Sequence, residues 1–327
     1  MKIQEFRDLI KAANKDLVEK AFAESYKKFT KSQKEEVDLI IRDVLAGKDA
    51  RSAVKKDTVS FEELEQQIPV FLENAYAQNY FAPNRVIPKN QRPKWRFLVK
   101  NYIKALEKIP VEDENYEKSV KLLSDLYRML CTACNYYLFS TDDAFRSIGW
   151  EQPELFRLVV KKYFGNGYSR EKIAVLLTDA VGGGLSREAL HIFQTSVLLD
   201  ELKTSDVKYM VIEEARKLVD ERKKQLSGLK KYDSERYRLE DEINHLCEMI
   251  LMTAIKLAEP DSGIEYFFRN YEQTDKEIML YCALRTVDWM EEDELWMTVY
   301  EYGLGKKIKP RDSLVRRYQE MRQEQKQ

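Results

Sequence analysis

Apolar residues in this chain recur at intervals of three and four, in blocks of roughly 12–25 residues divided by short polar breaks, which is the signature of amphipathic helices. Trp95, Leu98, Val99, Tyr102, Ile103 and Leu106 form one such stripe, and Val37, Ile40, Ile41, Val44 and Leu45 form another. Helix starts are marked by the pairs Ser32-x-x-Glu35, Ser60-x-x-Glu63 and Thr274-x-x-Glu277, where hydroxyl and carboxylate each satisfy an orphan backbone donor. Gly47 is placed to end the first of these helices. The second is expected to run to about Tyr80 with a kink or break at Pro69. Later helices are expected at about 114–138, 153–164, 169–181, 186–201, 205–226, 234–259, 274–285 and 288–302, with a basic tail helix after Pro310. Gly and Pro together make 19 of 327 residues, 11 and 8, about half the usual share, so the turn chemistry of a β-rich fold is missing. The expected fold is all-α, an antiparallel multi-helical array or irregular superhelix without a fixed-period repeat.

One window departs from this regularity. Asn74 to Leu106 spans 33 residues without an Asp or Glu, where composition predicts about six. It carries the bases Arg85, Lys89, Arg92, Lys94, Arg96, Lys100 and Lys104, six aromatic residues, and Pro83, Pro88 and Pro93. Prolines at this spacing make 82–93 an extended loop. Beyond it, Arg96, Lys100, Lys104 and Lys108 fall at i, i+4, i+8 and i+12 and form one basic ridge beside the apolar stripe. Like charges at i, i+4 repel by a few tenths of a kcal/mol per pair, so an acidic group should lie opposite. That group can be external, on a protein or nucleic acid. It can also be internal, from Glu112, Asp113, Glu114 and Glu117 or from Asp288 and Glu291 to Glu294, and the sequence slightly favours the internal match. Trp95 and Tyr102 belong to the core stripe and read as packing residues rather than base-stacking platforms. No zinc finger, RNP, KH or helix-turn-helix pattern accompanies the bases.

Charge otherwise adds little: 55 basic and 56 acidic residues give a net charge of −1. Neither a signal peptide nor an apolar run of membrane-spanning length is present. Four cysteines without framework spacing suggest free thiols and a cytoplasmic setting. Cys131-x-x-Cys134 reads as a pair of thiols on a helix, and Gly182-Gly183-Gly184 as a helix end with a flexible hinge.

The two histidines carry the one metal pattern in the chain. Glu188-x-x-His191 and Glu242-x-x-His245 each place an oxygen and a nitrogen on one helical face, and two such helices plus a Glu from each of two others make a ferritin-like di-metal site. Glu171 and Glu213 or Glu214 are available in that order. Against it, a carboxylate at Glu188 is favoured by the helix dipole alone, and structural histidines are the simpler expectation.

A Lys/Glu-rich helical start ending in Ser25-Tyr26-Lys27-Lys28-Phe29, the segment Pro83-Asn84-Arg85, and Thr141-Asp142-Asp143-Ala144-Phe145 resemble a bacterial family catalogued as domain of unknown function 6155, over roughly the first 200 residues. The resemblance implies an all-helical bacterial protein and transfers no activity. The expected organisation is an N-terminal helical segment 1–82, a basic loop 83–93 and a larger array 94–327. Serine elbow, Walker, Rossmann and zincin patterns are lacking, and no cofactor is expected. The functional expectation is an interaction or adaptor protein that binds its partner through Arg85, Lys89, Arg92, Arg96, Lys100 and Lys104, with nucleic-acid binding and di-metal oxidation by Glu188, His191, Glu242 and His245 as alternatives.

Overall fold

A computed structural model describes residues 3–30, 34, 37, 38, 41, 42, 44–46 and 60–324. All regular structure among them is helical: fifteen α-helices and one 3-10 turn, with no strand. The chain divides into two compact units, residues 1–60 and 61–327. Ser32, Glu35 and Gly47, the signals for an early helix, lie outside the described residues.

In the first unit, α1 (Ile3–Ala12) and α2 (Lys15–Lys27) are joined at Asn14, whose side chain accepts the amide proton of Asp16 and caps α2. No residue of α2 is buried.

The second unit begins with α3 (Phe61–Tyr76). Leu64, Ile68, Phe71 and Ala75 of α3 are buried, and the helix packs on α5 (Tyr116–Asn135) together with α4 (Trp95–Glu107), which follows a 3-10 turn at Arg92–Lys94. Helix α3 continues through Pro69 and stops at Tyr76, short of the expected Tyr80. A five-residue helix α6 (Ala144–Ile148) and α7 (Gln152–Phe164) complete the layer around α5.

The remaining helices gather on a second centre. These are α8 (Arg170–Val181), α9 (His191–Asp200), α10 (Ser205–Ser227), α11 (Ser234–Lys256), α12 (Pro260–Asn270), α13 (Lys276–Trp289), α14 (Asp293–Gly305) and α15 (Asp312–Glu324). Helix α11 is the hub and touches α8, α9, α10, α12 and α13. Its run from Leu246 to Ala254 is buried on every face, which explains why a single apolar stripe is hard to see there.

Several boundaries differ from expectation for local reasons. Helix α12 was not expected, yet Pro260 at its first turn is where proline suits a helix. Asp275, not Thr274, caps α13 by accepting from the amide of Glu277 at 2.9 Å. Residues 186–190 are turn and extended chain, and α9 starts only at His191.

The triglycine segment is a fixed crossing rather than a hinge. A Cβ on Gly184 would stand 2.2 Å from the Cys131 carbonyl oxygen and 2.7 Å from Asn135 Cγ, so only glycine lets this strand of chain lie on α5. Buried Gln152 locks it from the other side: its amide donates to Gly184 O at 3.1 Å and its carbonyl accepts from Ser186 N at 2.7 Å. Asp143 caps α6 and also accepts from the Ser186 hydroxyl at 2.7 Å and Arg187 N at 3.2 Å. Gly184→Ala is therefore expected to destabilise the protein by about 2–3 kcal/mol through overpacking against backbone. Urea unfolding measures this, and an unchanged midpoint would show that the crossing yields.

Candidate basic recognition site

Three asparagines shape the loop that carries the bases. Asn79 Nδ2 donates to Asn74 Oδ1 at 2.8 Å, and Asn84 Nδ2 to Asn79 Oδ1 at 3.1 Å, stitching the chain beyond α3 to the end of that helix. Asn84 Oδ1 then accepts from Val86 N at 3.0 Å in an Asx turn. The loop is held to the segment after α5 by Gln78 Nε2 donating to Tyr137 O at 2.8 Å and Ala82 N donating to Ser140 Oγ at 3.2 Å.

Below the loop lies an aromatic floor. Trp95 stacks on Phe139 with ring centres 3.8 Å apart, and Phe71 contacts Tyr80, Tyr102 and Phe139. Trp95, Tyr80 and Tyr102 are buried. Leu98 is not part of the core stripe as expected: it is exposed, and so is Phe97, 64% open to solvent between Arg96 and Lys100.

The bases do not share one role. Lys89, Arg92 and Arg96 come together on a cleft of about 380 Å³, opposite Ser140, Thr141 and Ser147. Arg92 is half-buried, and its Nε donates to Ile87 O at 2.7 Å. Arg96 Nε donates to Pro93 O at 3.1 Å. Both guanidinium groups are thus anchored through Nε on their own segment, which leaves the Nη edges unused. Lys100 is half-buried, with Nζ 3.5 Å from where a Cβ of Gly149 would stand. Arg85, Lys104 and Lys108 are exposed and line no part of the cleft.

No internal acid matches this surface among the described residues. Asp288 pairs with Arg317, Glu117 with Lys172, Asp142 with Arg187 and Glu65 with Lys118. Asp113 is exposed and accepts from Asn115 N at 2.8 Å within its own turn. None of the seven bases Arg85, Lys89, Arg92, Arg96, Lys100, Lys104 and Lys108 is in an ion pair among the described residues, so the internal match that the sequence favoured is not made.

The structure unites half of the metal pattern and separates the rest. His191 and His245 stack with ring centres 4.3 Å apart, and their Nδ1 atoms face the Ala180 and Val181 carbonyls at 3.2 and 3.4 Å. Burial lowers the pKa of both; for His245, with the neighbouring His191 adding to the effect, it falls to about 3. Glu188 does not join them, because it lies in the turn before α9 rather than on a helix. Glu242 is committed to Arg222 Nε at 2.8 Å and to Arg238. Among the described residues no group of three or more His, Cys, Asp or Glu side chains is arranged to hold a metal ion.

The cysteines are all free. Cys131 and Cys247 are buried, and burial pushes their thiols far above the ordinary value. No helix among the described residues is long and apolar enough to cross a membrane. No family model, no curated protein and no solved structure matches this chain.

Proposed function

We propose that this chain is a cytosolic helical interaction or adaptor protein, and that it recognises an acidic partner through the loop 82–93 together with Arg96, Lys100 and Lys104. The observation that carries the reading is that none of these bases is in an ion pair among the described residues, Arg85, Arg92 and Arg96 included, whereas eleven arginines elsewhere in the chain are paired. Unpaired cations grouped at one loop–helix junction attract an oppositely charged surface and raise its association rate. Exposed Phe97 and Val86 supply apolar contact area within the same surface.

The triple variant Arg92→Glu, Arg96→Glu, Lys100→Glu is expected to lose at least about tenfold in affinity for immobilised polyglutamate at low salt, with an unchanged helical circular dichroism spectrum. Equal retention of the folded variant would sink the proposal. Much tighter retention on duplex DNA, falling steeply with salt, would reassign the surface to nucleic acid.

A further inference from the structure

Resting on that recognition surface, we infer that the cleft between the proline loop and residues 140–147 is a site for a phosphate monoester, and that the partner it serves is a phosphorylated protein. The cleft brings Lys89, Arg92 and Arg96 to one recess, not along a track. Three cations exceed the single charge of a carboxylate and suit a phosphate group of about −1.5 to −2.

The geometry of the arginines points the same way. Each guanidinium is oriented by a backbone carbonyl through Nε, so its remaining N–H edges are offered as a pre-set fork, the form in which arginine binds phosphate. The opposite wall supplies hydroxyls. Ser140 Oγ accepts from Ala82 N at 3.2 Å and keeps its own proton to donate. Thr141 and Ser147 share a bond at 2.8 Å and hold that wall in place, with Ser147 also donating to Asp143 O at 2.8 Å. Buried Trp95 and Tyr80 and exposed Pro93 also line the cleft and give it an apolar side, where the charge interactions are less screened than in open water.

A phosphorylated side chain fits a recess of this size and lets its backbone run over the rim. Beyond the rim, Lys100 and Lys104 continue along α4, at a rise of about 6 Å for each four residues, and can meet acidic residues flanking the phosphate. A nucleic-acid strand would use the same ridge but would leave a recess built for one terminal phosphate group without purpose.

The test uses the full chain and two probes, a pentapeptide with four glutamates around a central phosphotyrosine and the same peptide unphosphorylated, with affinities measured by calorimetry. The phosphorylated form is expected to bind at least about tenfold more tightly at one site. Arg92→Gln and Arg96→Gln should erase that difference, while Lys104→Gln should weaken both peptides alike and preserve it. Arg92→Lys, which keeps the charge but not the fork, should narrow the difference and leave the unphosphorylated peptide unaffected.

A wild-type chain that does not distinguish the peptides overturns the phosphate site. The recognition surface itself survives that result if Lys104→Gln still weakens the plain peptide, and falls only if no variant changes either affinity. Inorganic phosphate binding as tightly as the phosphopeptide would overturn the phosphoprotein assignment, as would a single-stranded oligonucleotide binding more tightly than both.

Discussion

Replacing Glu242 with alanine is expected to cost about 3–5 kcal/mol of folding stability, the penalty for stranding a buried charge when its partner is removed. Glu242 sits on α11 with 5% of its surface exposed, facing α10. One carboxylate oxygen accepts from Arg222 Nε at 2.8 Å, and the other is held by Arg238 one helical turn earlier. Arg238 is half open to water and tolerates the loss, but the Arg222 side chain is only 14% exposed and would keep only a long contact of 3.9 Å to exposed Glu221. Glu242→Gln keeps an acceptor and the packing volume, and should cost less, roughly 1–3 kcal/mol for one weakened charged hydrogen bond. Urea unfolding followed by circular dichroism separates the two variants. A loss below about 1 kcal/mol for Glu242→Ala would mean that Arg222 swings out to solvent and that the pair is not a buried one.

The same residue shows what can be read from a sequence and what cannot. Arg238-x-x-x-Glu242 is an i, i+4 pair visible in the chain, whereas Arg222 reaches Glu242 from another helix and leaves no local trace. The helices with one polar face, α4 and α5 among them, are legible because burial on one side imposes a 3.6-residue period. Helix α12 is hidden by its opening Pro260, which reads as a breaker until its place at the first turn is known. Gly182-Gly183-Gly184 reads as flexible because glycine marks both freedom and close approach, and only the distance from Gly184 to the Cys131 carbonyl decides between them.

The basic site divides in the same way. Its composition is visible from the missing acids between Asn74 and Leu106, and its aromatics fall largely in the core by helical spacing. The hydroxyl wall is not visible: Ser140 and Ser147 are ordinary residues some fifty positions away, brought to the bases by the packing of α5 and α6 against α4. The histidine motifs mislead for a related reason. Spacing of i, i+3 implies a shared face only if both residues are helical, and at Glu188 the chain is still turning.

The stacked histidines should make the protein acid-labile, with a sign that follows from their lowered pKa. His245 falls to about 3 in the fold against 6.5 in an open chain, and His191 is lowered as well, so between these values the unfolded state binds more protons than the native one. Stability is therefore complete above about pH 6.5 and declines as pH falls toward 3. For His245 the loss approaches about 1.4 kcal/mol per pH unit and amounts to about 2 kcal/mol between pH 6.5 and 4.5, and His191 adds to it in the same direction. The groups around the pair modify this: Asp241 and Glu242 favour a charge on His191, while Arg285 opposes one on His245. Glu248, one turn from His245 on α11, works in the opposite direction. Burial raises its pKa to about 7 despite Arg285 at 3.0 Å, so the native state keeps a proton there that the unfolded state has lost. Its contribution grows as pH falls from 7 to 4.5 and conceals part of the histidine effect in the wild-type curve. Variants separate the two. Relative to wild type, His245→Asn, which keeps a donor for the Val181 carbonyl, should gain stability on acidification from pH 6.5 to 4.5, and Glu248→Gln should lose it over the same range. Parallel stability curves for wild type and His245→Asn would show that water reaches the pair and that the imidazoles titrate as they do in an open chain.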